Sequence, residues 1–377
     1  MIDYRLGEEH EALRKSVAAF ARDEVAPVIG DFYQREAFPY EVVAKLGRMG
    51  WFGLPFAERY GGTGGDYFAL CLAVEELARV DSSVAVTLDA GVSLGAMPIY
   101  RFGTEEQKSR WLPRLATGEM IGAFGMTEPG AGSDVGAART TAVLEGDEWV
   151  LNGVKAYVTN GATDVTGVIV VTAVTDGSLS MILVPAGTPG LRAARRYSKV
   201  GWAATDTRDL QFDAVRVPAA NLLGKLGNGH AQALSVLDEG RIAFAALAVG
   251  LAQGCVDESV RYSHERAAFG RPIGKYQAIQ FKIADMEART HTARLAYYAA
   301  AARMLRGEPF KREAAIAKLV SANAAMDNAR DATQIFGGSG FINETPVARF
   351  YRDAKILEIG EGTSEVQRML VARELGL

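Results

Sequence analysis

Trp149-Val150-Leu151, Val168-Ile169-Val170-Val171, Met181-Ile182-Leu183-Val184 and the run from Leu210 to Val217 are short β-branched segments set between turn residues. Gly, Asp, Asn and Pro punctuate them at turn spacing, the pattern of strands joined by tight connections. Parallel strands need crossovers of roughly 10–15 helical residues, and none lies between these runs. The pattern therefore predicts an all-β segment with an antiparallel sheet over residues 123–235.

On both sides of this segment the period changes to that of a helix. In residues 1–122, Leu13, Val17, Phe20 and Val25 recur at helical spacing, and Pro27 is expected to end that run. A second helix is expected after the loop Gly61–Asp66, carrying Leu70, Val74, Leu77 and Val80, and a third from Asp89 to Phe102. Residues 236–377 are read as helical again. Ile279, Ile283, Met286, Thr290, Ala293, Tyr297, Ala300 and Met304 alternate steps of four and three, a bundle seam that is apolar except at Thr290. Further helices are expected at about 310–335, 346–358 and 364–375. The class is α+β multidomain: an N-terminal helical domain, an antiparallel β middle domain and a C-terminal helical bundle.

A chain of 377 residues is long enough for two or three domains. Lys plus Arg number 41 against 45 Asp plus Glu, a formal charge of −4, which leaves no electrostatic footprint for nucleic acid or an anionic membrane. Cys71 and Cys255 stand far apart and there are four histidines, so neither a disulfide framework nor a metal site is expected. The opening MIDYRLGEEH is polar and acidic, unlike a secretory signal. Apolar stretches such as Ala243–Val249 fall short of the roughly 18 residues of a membrane span. A soluble, cytoplasmic protein is the expectation.

Five stretches could carry chemistry. In Gly125-Met126-Thr127-Glu128-Pro129-Gly130-Ala131-Gly132-Ser133-Asp134, glycines let backbone approach a ligand and expose N–H groups to an anion, though a plain surface turn has the same composition. The spacing is not the dinucleotide fingerprint, and no Walker loop precedes Lys225 or Lys275. Lys155-Ala156-Tyr157-Val158-Thr159-Asn160 closes a strand with an aromatic that could stack on a flat cofactor or simply fill the core. Arg266-Ala267-Ala268-Phe269-Gly270-Arg271-Pro272 ends a bundle helix, where arginines complement the helix dipole or meet a pyrophosphate. Gln334-Ile335-Phe336-Gly337-Gly338-Ser339-Gly340 reads as a helix end with its cap. Ile359-Gly360-Glu361-Gly362-Thr363-Ser364-Glu365-Val366-Gln367-Arg368 puts one carboxylate between two glycines, ahead of a helix that Thr363 or Ser364 can cap.

All five stretches, in this order, resemble the acyl-CoA dehydrogenase family over essentially the whole chain. The loop Gly125–Asp134 and the stretch Gln334–Arg368 are similar to that family's two diagnostic motifs. The resemblance implies a C-terminal four-helix bundle, FAD as cofactor, and α,β-dehydrogenation of an acyl-CoA to the trans-2-enoyl thioester. Glu361 would be the base that takes the α-proton, the β-hydride passing to flavin N5. Phe124, Met126, Thr127, Gly132, Ser133, Tyr157, Val158 and Thr159 would hold FAD, with Thr363 and Glu365 also touching it. Arg266, Gln277, Gln334, Gly337 and Gly338 would reach the FAD of a neighbouring subunit, implying a homotetramer. Ser133, Asp238, Arg241 and Gly362 would line the acyl-CoA channel, and an electron-transfer flavoprotein would accept the electrons.

Two departures stand out. Gly360 replaces a common Tyr, an exchange expected to widen the site near the base, and Tyr157 replaces a common Trp. One branch of the family carries its base on an earlier helix, at the position matching Gly240, which cannot serve. A decarboxylating enzyme would need an arginine in the acyl pocket, and Asp81–Ser93 has none. Val86–Met97 is expected to form the pocket floor. The rival readings are a flavin monooxygenase or oxidase on the same fold and a non-catalytic acyl-CoA-binding module; an intact Glu361 argues against both.

Overall fold

The computed structural model describes residues 6–377; Met1–Arg5, half of the opening stretch read above as no signal peptide, lie outside the described residues. The N-terminal region consists of α1 (Glu8–Phe20), α2 (Ala26–Gln34), α3 (Tyr40–Arg48), α4 (Tyr67–Ala78), α5 (Ser82–Asp89), α6 (Met97–Phe102) and α7 (Glu105–Ala116). Pro27 does not end the first run as expected. A π-helical turn, Ala21–Val25, joins α1 to α2, and Pro27 falls in the first turn of α2, where a missing N–H forfeits little. The third helix starts earlier than expected, at Ser82. Asp81 caps it by accepting from the backbone N–H of Ser83 (2.9 Å) and Val84 (3.0 Å). It then continues through a π-helical segment, Ala90–Ala96, into α6.

That continuity corrects the reading of apolar lengths. Ser82–Phe102, with 21 residues, is long and apolar enough to cross a membrane, but 94% of its apolar window is buried within the protein. It is a core helix.

The middle region contains β1 (Ile121–Gly125), β2 (Thr141–Glu145), β3 (Glu148–Thr159), β4 (Thr166–Thr175), β5 (Ser178–Pro185), β6 (Leu191–Ala193), β7 (Thr207–Pro218) and β8 (Leu222–Leu223). They form one sheet in the order β6-β7-β3-β2-β4-β5-β8, with β1 added alongside β4. The sheet is mixed, not purely antiparallel as expected. β1 pairs with β4 in parallel, Gly122 opposite Val168 and Gly125 opposite Val171, and β2 meets β4 in parallel at Thr141. The crossover from β1 to β4 is made by the β2–β3 hairpin rather than by a helix, which is why no helical period marked it.

β4 and β5 are covered on both faces. Val168, Val170, Met181 and Leu183 pack into the helical core, while Ile169, Val171, Ile182 and Val184 pack inside the β-domain. A strand buried on both sides needs an apolar residue at every position, hence the unbroken runs. Each such side chain contributes roughly 1.5–3 kcal/mol of burial.

The C-terminal region holds α8 (Gly229–Glu265), a small hairpin of β9 (Ala267–Ala268) and β10 (Arg271–Pro272), then α9 (Gln277–Leu305), α10 (Lys311–Phe336), α11 (Pro346–Leu357) and α12 (Ser364–Glu374). The α9 seam lies where its spacing placed it, with Met286, Thr290, Ala293, Tyr297 and Ala300 buried. Thr290 is accommodated by Asn328 of α10, whose amide lies 2.8 Å from its hydroxyl and 3.2 Å from the Ala252 carbonyl of α8.

One buried carboxylate ties the three regions together. Asp353 of α11 accepts from the Tyr33 hydroxyl of α2 (2.7 Å), the Ser82 hydroxyl of α5 (2.6 Å) and the Trp202 backbone N–H of the β-domain (2.7 Å). Replacing Asp353 by Ala strands three buried donors. Asp353→Ala is expected to cost about 3–5 kcal/mol, the range for breaking a buried charged network, and Asp353→Asn clearly less. Denaturant unfolding of the two variants checks this, and equal losses would show that the carboxylate is not the link.

Candidate active site

The loop from α11 to α12 places Glu361. Its backbone is left-handed, φ +52°, between Gly360 and Gly362, a conformation that costs a non-glycine residue of order 1–3 kcal/mol. Bonds on either side hold it there. Ser364 N–H donates to the Glu358 carbonyl (2.9 Å), and the Gln367 amide donates to the carbonyls of Glu361 (3.2 Å) and Gly362 (2.9 Å). Thr363 caps α12, its hydroxyl accepting from Val366 N–H at 3.2 Å, as the sequence anticipated. From α10, Lys318 donates to the Gly362 carbonyl at 2.7 Å.

The Glu361 side chain turns inward. The residue retains some accessible surface, but its Oε2 is sealed and has no hydrogen-bond partner. Burial pushes its carboxyl well above the ordinary 4.5; the charge of Asp89 adds to this, while Arg241 and Lys318 pull the other way. Desolvation therefore outweighs the two cations. Lys318 is itself fully buried, its ammonium 5.6 Å from the centre of the Phe244 ring, and burial lowers it to about 8.

α8 forms the facing wall. An ideal Cβ at Gly240 would stand 2.8 Å from Glu361 Oε2, so the absence of a side chain there leaves the carboxylate its place. The room expected at Gly360 is taken up: an ideal Cβ at Gly360 would lie 3.1 Å from the Phe244 ring. The next residue, Arg241, is 4% exposed and pairs with Asp238, whose own carboxyl is raised by burial in spite of that pairing.

The glycine loop after β1 rests on a second buried pair. Lys155 of β3, with no exposed side chain, donates to Glu128 (2.8 Å), the Met126 carbonyl (3.2 Å) and the Thr172 hydroxyl (3.2 Å). Glu128 also accepts from the backbone N–H groups of Arg139 (2.7 Å) and Thr140 (2.9 Å). Burial alone would raise the Glu128 carboxyl, but the bonds from Lys155, Arg139 and Thr140 bring it below its usual value. The loop is thus stiff at Met126–Glu128 and open beyond. Gly132 and Ser133 are exposed, and nothing lies within 4 Å of an ideal Cβ at Gly130 or Gly132.

Beside it, β3 bulges between Lys155 and Val158. The bulge gives Tyr157 φ +57° and leaves it 63% exposed, its ring stacked on Tyr197 at 5.4 Å. The core-tyrosine reading does not hold. Val158 instead points into the β-domain core, which leaves only its backbone available to a ligand. Open glycines, an exposed aromatic and the half-buried Phe124, Met126, Thr127 and Thr159 fit the flat ring and phosphates of FAD. Thr363 is half-buried and Glu365 exposed beside the Glu361 loop.

Arg266, Gln277, Gln334, Gly337 and Gly338 form a separate group. All five are exposed, and they collect at one end of the bundle, where the Tyr262 and Phe336 rings stack at 4.0 Å and Ile273 N–H donates to the Arg266 carbonyl at 2.8 Å. Lys318, which touches Gly362, and Gln334 are sixteen residues apart on α10, about 24 Å at the helical rise.

The sequence reading gave no individual role to Asp89 and Ser93, which it placed only within the Val86–Met97 floor, and passed over Tyr67, Phe244 and Lys318. For two of these the signal was present. Lys318 stands four residues from both Ala314 and Ala322, a single cation on an otherwise small apolar face, and Asp89 is the only charge between Ser82 and Tyr100. A charge embedded in an apolar period marks a site or a buried partner.

Three family models describe the chain in succession: acyl-CoA dehydrogenase N-terminal domain over residues 7–119, middle domain over 123–215, and C-terminal domain over 227–376. A probable acyl-CoA dehydrogenase of Bacillus subtilis is 46% identical, covering 99% of this chain and 100% of that protein. Butyryl-CoA dehydrogenase from Megasphaera elsdenii superposes with a TM-score of 0.97 at 41% identity, covering 100% of both chains. A chain solved in work on the electron transferring flavoprotein of Acidaminococcus fermentans and flavin-based electron bifurcation gives 0.97 at 42%, covering 99% of each.

The Lys155–Glu128 pair generates a test of the loop. Lys155→Met leaves a buried carboxylate without its cation and is expected to cost about 3–5 kcal/mol. Adding Glu128→Gln is expected to restore part of that loss, since the uncompensated charge is then gone. Thermal melting, with amide exchange followed at residues 126–132, reads both effects. A double variant no more stable than Lys155→Met would show that packing, not charge, makes the lysine matter.

Proposed function

Because the chain belongs to the acyl-CoA dehydrogenase family, we propose that Glu361 is the base of its reaction, taking the proton from the carbon next to the thioester carbonyl. The protein is an FAD-dependent enzyme that dehydrogenates acyl-CoA between Cα and Cβ. That activity stands over the oxygen-using and non-catalytic alternatives. FAD, when bound, supplies the acceptor for the hydride that leaves Cβ.

The observation that carries the assignment of Glu361 is its sealed and unpartnered Oε2, facing Gly240 on α8, where a Cβ would stand 2.8 Å from it. A thioester α-proton is weakly acidic, so its removal calls for a carboxylate of raised basicity held within hydrogen-bond reach. Burial supplies the basicity, and the bonds around Gly362 supply the hold. The backbone N–H of Glu361 has no partner among the described residues, which suits it to stabilise charge gathering on the thioester oxygen.

The remaining assignments belong to the same proposal. Ser133, Asp238, Arg241 and Gly362 line the acyl-CoA channel. Phe124, Met126, Thr127, Gly132, Ser133, Tyr157, the Val158 backbone, Thr159, Thr363 and Glu365 hold FAD. Arg266, Gln277, Gln334, Gly337 and Gly338, with Gln334 some 24 Å along α10 from Lys318, serve the FAD of a neighbouring copy in a homotetramer. The likeness to butyryl-CoA dehydrogenase supports a short acyl chain, and the flavoprotein-related likeness supports an electron-transfer flavoprotein as acceptor. A cytoplasmic location completes the reading.

Glu361→Gln tests the base. The variant is expected to fold and to bind FAD and acyl-CoA, while flavin reduction in a single turnover slows by roughly 10²–10⁴-fold. Near-normal reduction would place the base elsewhere. Its stability carries an independent signature. The folded carboxyl binds its proton above the unfolded value of 4.5, so the native state holds more protons and wild-type stability falls as pH rises through that window. A glutamine does not titrate. The melting temperature of Glu361→Gln should therefore gain on wild type as pH rises above the unfolded value of 4.5; a difference constant with pH would show that the carboxyl is not raised.

A further inference from the structure

Facing the same region is a second sealed carboxylate. Asp89 ends α5, is fully buried, and stands where the helix widens into its π-helical segment. Its Oδ1 accepts from the Ser93 hydroxyl at 2.6 Å, and the Ser93 oxygen accepts from the Tyr67 hydroxyl at 2.9 Å. Its Oδ2 has neither solvent nor partner. Among the described residues no cation pairs with it, and burial raises its carboxyl to about 7.

The segment is pressed into place and faces the base. An ideal Cβ at Gly95 would meet the carbonyl carbon of Gly122 in β1 at 2.4 Å, so the backbone has no room to shift. Leu94 Cδ2 lies 3.5 Å from the ideal Cβ position of Gly240, the same point that lies 2.8 Å from Glu361 Oε2. Asp89 is among the charges that raise the Glu361 carboxyl. Each of the two carboxylates keeps one oxygen without a donor. Leaving a buried acceptor unsatisfied is costly, and such atoms call for a partner the chain does not supply. Glu361 has a partner in the α-carbon proton. Asp89 has none yet.

Resting on the assignment of Glu361 as the base, we propose that Asp89 is a specificity-determining residue whose Oδ2 accepts a hydrogen bond from the substrate, an acyl thioester with an O–H or N–H donor beyond Cβ. A plain alkyl chain leaves that oxygen unpaired. The chain that carries a donor satisfies it, and discrimination follows from the penalty on the analogue that lacks it.

Holoenzyme, in wild-type and Asp89→Asn forms, is mixed anaerobically with 5-hydroxyvaleryl-CoA and valeryl-CoA, and with 6-aminohexanoyl-CoA and hexanoyl-CoA. Binding by calorimetry and the rate of flavin reduction are both read. Wild type is expected to prefer at least one donor-bearing chain by about 10- to 100-fold, the span of one hydrogen bond to a charged group. Asp89→Asn, which keeps the shape and the Ser93 contact, is expected to lose that preference. The hydroxyl and ammonium pairs tell which donor the site takes. Equal preference in wild type, or a ratio that Asp89→Asn leaves alone, overturns the proposal. A fall in rate shared by plain and substituted chains also overturns it, since Asp89 would then act only through the Glu361 proton. Should no thioester reduce the flavin, the assignment of Glu361 fails instead, and calorimetry still reports whether the donor is preferred.

Discussion

Three hydrogen bonds to one buried carboxylate set the geometry on which the rest of the molecule depends. Asp353 draws a donor from α2, from α5 and from the β-domain, and sits on α11, eight residues before Glu361. The end of α11 fixes where the Glu361 loop begins, and α5 leads into the segment facing that loop. The node therefore sets both walls of the site by the same bonds. A carboxylate taken out of water pays a desolvation cost that only well-placed donors offset, so the arrangement favours one docking of the three regions over near alternatives.

Much of this architecture was legible because period and composition change where the layers change. The α9 seam, the four β-branched runs and the helical stretches of the C-terminal region all lie where their spacing put them. The misreadings share a cause. Pro27 looked like an end because a π-helical turn leaves no trace in a 3.6-residue period. The parallel pairing of β1 with β4 was hidden because a hairpin, not a helix, makes the crossover. Ser82–Phe102 escaped notice as one helix because serines, threonines and glycines dilute its apolar character.

The site divides along similar lines. Residues carried by backbone chemistry were readable: a carboxylate between glycines, a cap at Thr363, a glycine loop after a strand. Side chains whose meaning comes from contacts distant in sequence were not. Lys318 matters because its ammonium reaches Gly362, and Phe244 because it fills the space beside Gly360. Tyr157 turned outward because of a bulge that strand alternation cannot reveal.

The π-helical segment Ala90–Ala96 also bears on how such a site can change over time. A π turn accommodates one residue more than the α-helix it interrupts, without altering the register of the helix before or after it. Here the flanks are anchored, by the Asp81 cap on one side and by the contact of Gly95 with Gly122 on the other. The residues between them are almost all buried, so an exchange there reshapes the packed interior while the two flanks stay anchored. If the proposed roles of Glu361 and Asp89 hold, a lineage would revise which acyl chains it accepts by point substitution along one turn of helix, with the Glu361 loop left in place.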